Sequence, residues 1–161
     1  METPWLSVQE QQVWRRLAAV LELLPGVLNS ELSRENGLTH FDYFTLAMLS
    51  EAPERTLRMR TLAGLTNASL PRLSNVVSRL ASRGLVERRP CEDDRRATDV
   101  VLTEAGWAKV VEAAPGHVQT VRASVFDLLD PDQVDQLSII CERLLDGLDP
   151  HHRLVGHGRK A

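Results

Sequence analysis

The sequence predicts a mainly α-helical chain carrying one small β-hairpin, and three observations lead there. Apolar residues recur at helical spacing along most of the 161 residues. Two short stretches, 85–89 and 98–102, read as strands, and the densely charged loop between them is too long for a two-residue turn. The helical stretches open on Ser, Thr or Asp residues that can accept hydrogen bonds from the first turn.

Ser7 is the first such cap, with Glu10 as its capping-box partner. Val13, Leu17, Val20, Leu21, Leu24 and Leu28 then predict a long helix over about 7–35. Pro25-Gly26 should kink or interrupt it, and Gly37 should end it. Thr39 opens the next helix, with Asp42 in its first turn; Phe41, Phe44, Leu46, Ala47 and Leu49 form its buried side, and Pro53 closes it. A short helix over 59–65, a turn at Asn67-Ala68 and a helix capped by Ser69 follow. Leu70, Leu73, Val76, Val77 and Leu80 line one face of that helix, and Gly84 ends it.

After the hairpin, Thr103-Glu104 starts a helix expected to reach about Leu129, with an interruption at Pro115-Gly116. Asp130, Pro131 and Gln133 mark a final helix whose core face is Val134, Leu137, Ile140, Leu144, Leu145 and Leu148. The last residues, 151–161, lack periodicity and are expected to fray.

Composition bounds the class. Apolar residues make up 43% of the chain, enough for a packed core. Two cysteines are too few for a disulfide framework and fit a reducing cytoplasm. The N-terminus lacks a signal-peptide pattern, and the apolar runs are too short to span a membrane.

The net charge of −3 hides an uneven distribution. Between Arg55 and Arg96 stand ten arginines against four acids, a net +6 inside an otherwise acidic chain. A basic stripe on a helix-turn-helix pattern is the electrostatic footprint of a nucleic-acid binder. On the helix after Ser69, the face opposite the leucines carries Arg72, Asn75 and Arg79. Arg pairs with guanine acceptors and Asn with adenine in the major groove. Arg72 and Asn75 stand near the N-terminal end, where base readers sit. Arg79 lies a turn later and either meets phosphate or stays solvated. Ser69 and Ser74 could donate to phosphate at the positive end of the helix, and Pro71 could touch a thymine methyl. The hairpin loop brings Arg95 and Arg96 to its tip beside Asp93 and Asp94; such an arginine can enter a narrow minor groove, with an adjacent acid holding it. The competing readings are a solvated amphipathic face for the helix and a charged, soluble turn for the loop.

The run LPRLSNVVSRLASRGLVERRPCEDDRRATDVVLTEAGWAKV, with long helices on either side, resembles the multiple-antibiotic-resistance regulator (MarR) family of winged helix-turn-helix repressors. The carrying motifs are Arg-Gly-Leu-Val after the recognition helix, Asp-Arg-Arg in the wing, and Leu-Thr-Glu-Ala-Gly at the next helix start. The resemblance implies a homodimer on a pseudo-palindromic operator, in many members released by a small-molecule effector. It implies an N-terminal dimerisation helix over 1–36, a winged helix-turn-helix DNA-binding module over 37–106, C-terminal dimerisation helices over 107–148 and a flexible tail over 149–161. The family's base-contacting positions fall on Pro71, Arg72 and Asn75; its wing positions fall on Asp94 and Arg96, with Arg95 as an extra tip residue. Independently, the terminal helices carry more apolar surface than one small module could cover, which a two-fold partner would bury.

Other residues carry less. Cys91 lies in the wing between basic and acidic neighbours; Cys141, beside Ile140, reads as a small buried apolar group. His151, His152 and His157 match no closed metal site. Trp14, His40 and Tyr43 fall where a family pocket could form, but read as core. No Gly-rich phosphate loop or motif-supported nucleophile points to an enzyme, and no cofactor or metal is expected. The expected partners are double-stranded DNA, a second copy of the chain and a small-molecule effector, in the cytoplasm. A metal- or redox-responsive regulator, and a winged helix used only for protein–protein contact, remain as alternatives.

Overall fold

The computed structural model describes residues 3–91, 94, 96–151 and 153–154. Apart from the short helix at Met59–Leu65, its α-helices start where a side chain accepts from an unpaired N–H group of the first turn. Ser7 and Glu10 form a capping box for α1 (Val8–Asn36), and Gly37, at φ 62°, closes that helix in the left-handed conformation glycine tolerates. Thr39 and Asp42 form the box that opens α2 (His40–Glu51). A 3-10 turn at Pro53–Arg55 leads into a short strand, β1 (Thr56–Arg58), and then into α3 (Met59–Leu65). Ser69 caps α4 (Leu70–Ser82), and the chain leaves α4 through Gly84 at φ 71°. Strands β2 (Val86–Pro90) and β3 (Thr98–Leu102) form the hairpin, and Thr103 caps α5 (Glu104–Ser124). After a 3-10 turn at Phe126–Leu128, a third capping box, Asp130 with Gln133, starts α6 (Pro131–Leu148).

The sheet has the order β1-β3-β2 with antiparallel pairs, Leu57 opposite Val100 and Val86 opposite Leu102. One core joins α1 through Leu32, α2 through Leu46 and Leu49, α3 through Leu62, α4 through Leu73, Val77 and Leu80, the strands through Val86, Val100 and Leu102, and α5 through Val110 and Ala113. Gly106 sits where α5 meets the hairpin, and a Cβ there would lie 2.0 Å from the Leu85 carbonyl oxygen.

Several expectations are corrected. Neither proline interrupts its helix: α1 runs continuously through Pro25 and α5 through Pro115. Each proline removes one N–H, a loss that packing of these long helices can override. Gly116 serves that packing directly, since a Cβ there would come within 2.6 Å of Glu31 Oε1 on α1. The helix expected to reach Leu129 stops at Ser124, where Val125 leaves helical geometry (φ −133°, ψ −69°). The strand β1 was absent from the expected elements.

The expected core face of α6 is not a core within this chain: no α6 residue is buried, and Leu137, Ile140, Leu144 and Leu148 are exposed. Cys141 is therefore exposed, not buried as expected, whereas Cys91 in the hairpin is buried. The fraying tail falls mainly on His152 and 155–161, which lie outside the described residues, as do Glu92, Asp93 and Arg95. At its start, Asp149 is buried and accepts from the Leu154 N–H at 2.8 Å.

Candidate nucleic-acid interface

The recognition helix α4 is strongly two-sided. Leu73, Val76, Val77 and Leu80 are buried, while Ser69, Pro71, Arg72 and Asn75 are exposed and Ser74 is half-buried. Ser69 Oγ accepts from the Arg72 N–H at 3.4 Å, which caps the start of the helix. The arginines of this helix are not loose. The Arg72 guanidinium lies 4.4 Å from the centre of the Phe41 ring. Arg79 Nη2 donates to Asp42 Oδ1. Arg83 Nη1 donates to the Gly37 carbonyl at 3.0 Å. Arg72 and Arg79 of α4, with Arg83 just past its end, thus reach back to the corner between α1 and α2. Sequence reading left Arg79 to phosphate or solvent; the structure gives it a carboxylate partner, while its side chain stays 49% exposed.

The hairpin is tied to α4 from the other side. Arg88 Nη2 donates to the Ser74 carbonyl at 2.6 Å and to Ser74 Oγ and Ser78 Oγ at 3.1 and 2.9 Å. At the tip, the Ala97 N–H donates to the Asp94 carbonyl at 2.8 Å, and Asp94 Oδ1 accepts from the Arg96 backbone N–H at 3.0 Å. Asp94 therefore shapes the turn through the backbone. Arg96 is exposed; the second expected tip residue, Arg95, lies outside the described residues.

Between hairpin and helices runs an open groove of about 730 Å³, lined by Arg58, Arg60, Leu70, Pro71, Arg88 and Arg96 among others. Four guanidinium-bearing residues at one groove make it a favourable place for a polyanion. Pro71, Ser74, Asp94 and Arg96 of the expected set come together here, whereas Arg72 and Arg79 stand on the α2 side of the same helix. Arg58, Arg60 and Arg88 belong to the basic segment of the sequence, but their spacing alone assigns them no contact. The pattern Arg-Met-Arg at the start of α3 was the available signal, since alternation about a half-buried Met59 turns both arginines outward.

A second cluster lies where α1, α2 and α5 meet. The His117 ring stands 4.6 Å from Tyr43 and 6.1 Å from His40, centre to centre. Both carboxylate oxygens of Glu31 and Nδ1 of His117 are buried with no hydrogen-bond partner among the described residues. Burial pushes the His40 and His117 pKa values below their ordinary range, His40 adding to the effect at His117. Burial raises those of Glu31 and Tyr43, with Glu35 adding to the first and Glu31 to the second. Trp14 is exposed on α1. Among the described residues, no group of three or more His, Cys, Asp or Glu side chains could hold a metal ion, and no helix is long and apolar enough to cross a membrane.

The MarR family model matches residues 36–97, the stretch that builds this groove. The MarR family transcriptional regulator Sco3205 of Streptomyces coelicolor, solved in complex with DNA, is 40% identical, with a TM-score of 0.89 over 92% of this chain and 93% of that one. The chain belongs to the MarR family. As a MarR family transcriptional regulator it is not an enzyme. A second regulator of the family from the same organism, AbsC, is 38% identical, with a TM-score of 0.84 over 94% of this chain and 99% of its own. The HTH-type transcriptional repressor YetL of Bacillus subtilis is 28% identical over 111 residues, 67% of this MarR family chain and 66% of the repressor's own length.

Proposed function

We propose that this MarR family regulator is a sequence-specific DNA-binding repressor acting as a homodimer on a pseudo-palindromic operator. The observation that carries the reading is the groove, where Pro71 and Ser74 of α4 meet Arg58, Arg60, Arg88 and Arg96, on a helix that also exposes Arg72 and Asn75 outside it. Arg72 and Asn75 read bases in the major groove, Arg96 and Arg95 anchor the wing in the minor groove, and Ser69, Ser74 and Arg79 meet phosphates. Arg58 and Arg60 join the phosphate contacts. The reading is supported by Sco3205, solved with DNA, and by the repressor YetL.

Residues 37–106 act as the DNA-binding module; 1–36 and 107–148 supply the dimerisation helices, because the apolar faces of α1 and α6 stand open in the single chain. Response to a small-molecule effector belongs to the same reading, supported by the buried polar atoms of Glu31 and His117 that have no hydrogen-bond partner among the described residues.

Selection of bound fragments from a random DNA pool tests binding, symmetry and half-site spacing together. Half-sites should recur about 10 base pairs apart, one helical turn. On the selected fragment, Arg72→Ala should cost about 1–3 kcal/mol with little loss on random DNA; equal losses on both remove Arg72 as a base reader. Arg96→Glu should lower affinity and flatten the dependence on salt; an unchanged salt slope rules out a wing contact.

A further inference from the structure

Asp42 stands under the recognition helix rather than on the DNA-facing surface. Its side chain is 3% exposed, and both oxygens are engaged. Oδ2 accepts from the Thr39 N–H at 3.0 Å, closing the capping box that starts α2, and Oδ1 accepts from Arg79 Nη2. One residue earlier, the Phe41 ring lies beneath the Arg72 guanidinium at 4.4 Å. The first turn of α2 therefore holds two recognition-helix arginines, one by charge and one by its ring face.

We propose that Asp42 is a specificity-determining positioning residue, and that with Phe41 it holds Arg79 and Arg72 in a single orientation before DNA arrives. This inference rests on the DNA-binding reading above. A free arginine must give up its rotamer freedom when it docks on a base or phosphate. An arginine already held by a buried carboxylate or an aromatic ring has lost that freedom on folding. With about half of its side chain exposed, Arg79 keeps donors free for the duplex while Asp42 fixes its direction. Held in one direction, Arg79 meets the phosphate that sets the register of the reading helix, whereas a misdirected guanidinium still attracts any phosphate; the hold therefore sharpens the difference between right and wrong sequences more than it strengthens binding overall.

The same turn faces the other way as well. His40 and Tyr43 lie against His117 of α5, beside the buried Glu31 of α1. The residues that hold the arginines are thus interleaved, within one helical turn, with residues that contact the polar junction of the terminal helices.

The test uses the full-length protein and the duplex it selects from a random pool. Asp42→Asn keeps an oxygen for the Thr39 N–H but loses the charge that holds Arg79. It should lower the ratio of selected-duplex to random-duplex affinity about two- to ten-fold, the range expected from releasing one ordered side chain. In an Arg79→Ala background the same substitution should change that ratio no further, because its effect runs through Arg79. Phe41→Leu, which keeps the site apolar, should lower the ratio through Arg72 and serves if Asp42→Asn does not fold. A merely structural role would lower thermal stability and weaken both duplexes alike, leaving the ratio in place. An unchanged ratio in Asp42→Asn and Phe41→Leu, or an undiminished effect of Asp42→Asn without Arg79, overturns the proposal. Loss of all sequence preference in the wild-type protein overturns the DNA-binding reading together with it.

Discussion

The winged module and the terminal helices are both rich in leucine and valine, yet much of that apolar surface ends in opposite states. In the module, α2, α3, α4 and the sheet close over Leu46, Leu62, Leu73, Leu80 and Val100, each with no exposed surface. In α6 no residue is buried, and the first half of α1 shows Val13, Leu17, Val20 and Leu21 to solvent. The module's elements are short and meet from several directions, so with Leu32 of α1 and Val110 and Ala113 of α5 they close a core inside the chain. A long straight helix has one apolar stripe, and only another helix laid along it can cover that stripe. The contrast teaches where each region's stability should come from: inside the chain for the module, from a second chain for the helices.

The largest effect should come from breaking the second half of that contrast. Ile140→Asp combined with Leu144→Asp should leave a folded monomer that has lost avidity for a two-half-site duplex, about 10²–10⁴-fold in affinity. Light scattering and gel-shift titration check it; a dimer that persists would place the interface elsewhere. Next, Leu80→Ala should cost about 2–5 kcal/mol, and the loss should not vary with protein concentration. Leu144→Ala should instead produce a melting temperature that shifts with concentration, as expected when folding is linked to association.

The junction of α1, α2 and α5 gives smaller, pH-dependent effects. His40 and His117 have lowered folded-state values, so their contribution is fully present above the unfolded value near 6.5 and is lost as pH falls below it. His117→Gln should flatten the fall in thermal stability between neutral and mildly acidic pH. Glu31 runs in the opposite sense. Its raised value makes its contribution full below the ordinary value of 4.5 and lost as pH rises through the folded one. Glu31→Gln, which removes the buried charge, should therefore raise thermal stability at neutral pH and flatten its dependence on pH. Destabilisation instead would show that a partner chain or ligand satisfies the carboxylate. The smallest effect belongs to the outer end of α1, where Ser7→Ala should cost about 0.5 kcal/mol, since the cap is exposed.

Much of this contrast was legible from local pattern. The three capping boxes, at Ser7, Thr39 and Asp130, each involve a partner three residues away, so their chemistry is written in the order of residues. The strand Thr98–Leu102 and the two-sided helix after Ser69 follow the same logic. The strand Thr56–Arg58 escaped, being too short to show alternation; its identity depends on pairing with Val101, Val100 and Asp99. Asp42 was legible as a first-turn acid, but its hold on Arg79 joins residues 37 positions apart. Arg88, counted only as charge, ties the hairpin to Ser74 and Ser78 across the groove.

Read alone, the order of residues determined the helices, their caps, the hairpin and the concentration of positive charge, because each depends on neighbours within a turn or two. The tertiary structure decided which arginines are held and by what, that Pro25 and Pro115 do not end their helices, and that Cys91 is buried and Cys141 exposed. Those outcomes depend on which distant surfaces meet, and a hydrophobic or charged stripe states only that it needs a partner, not which one it finds.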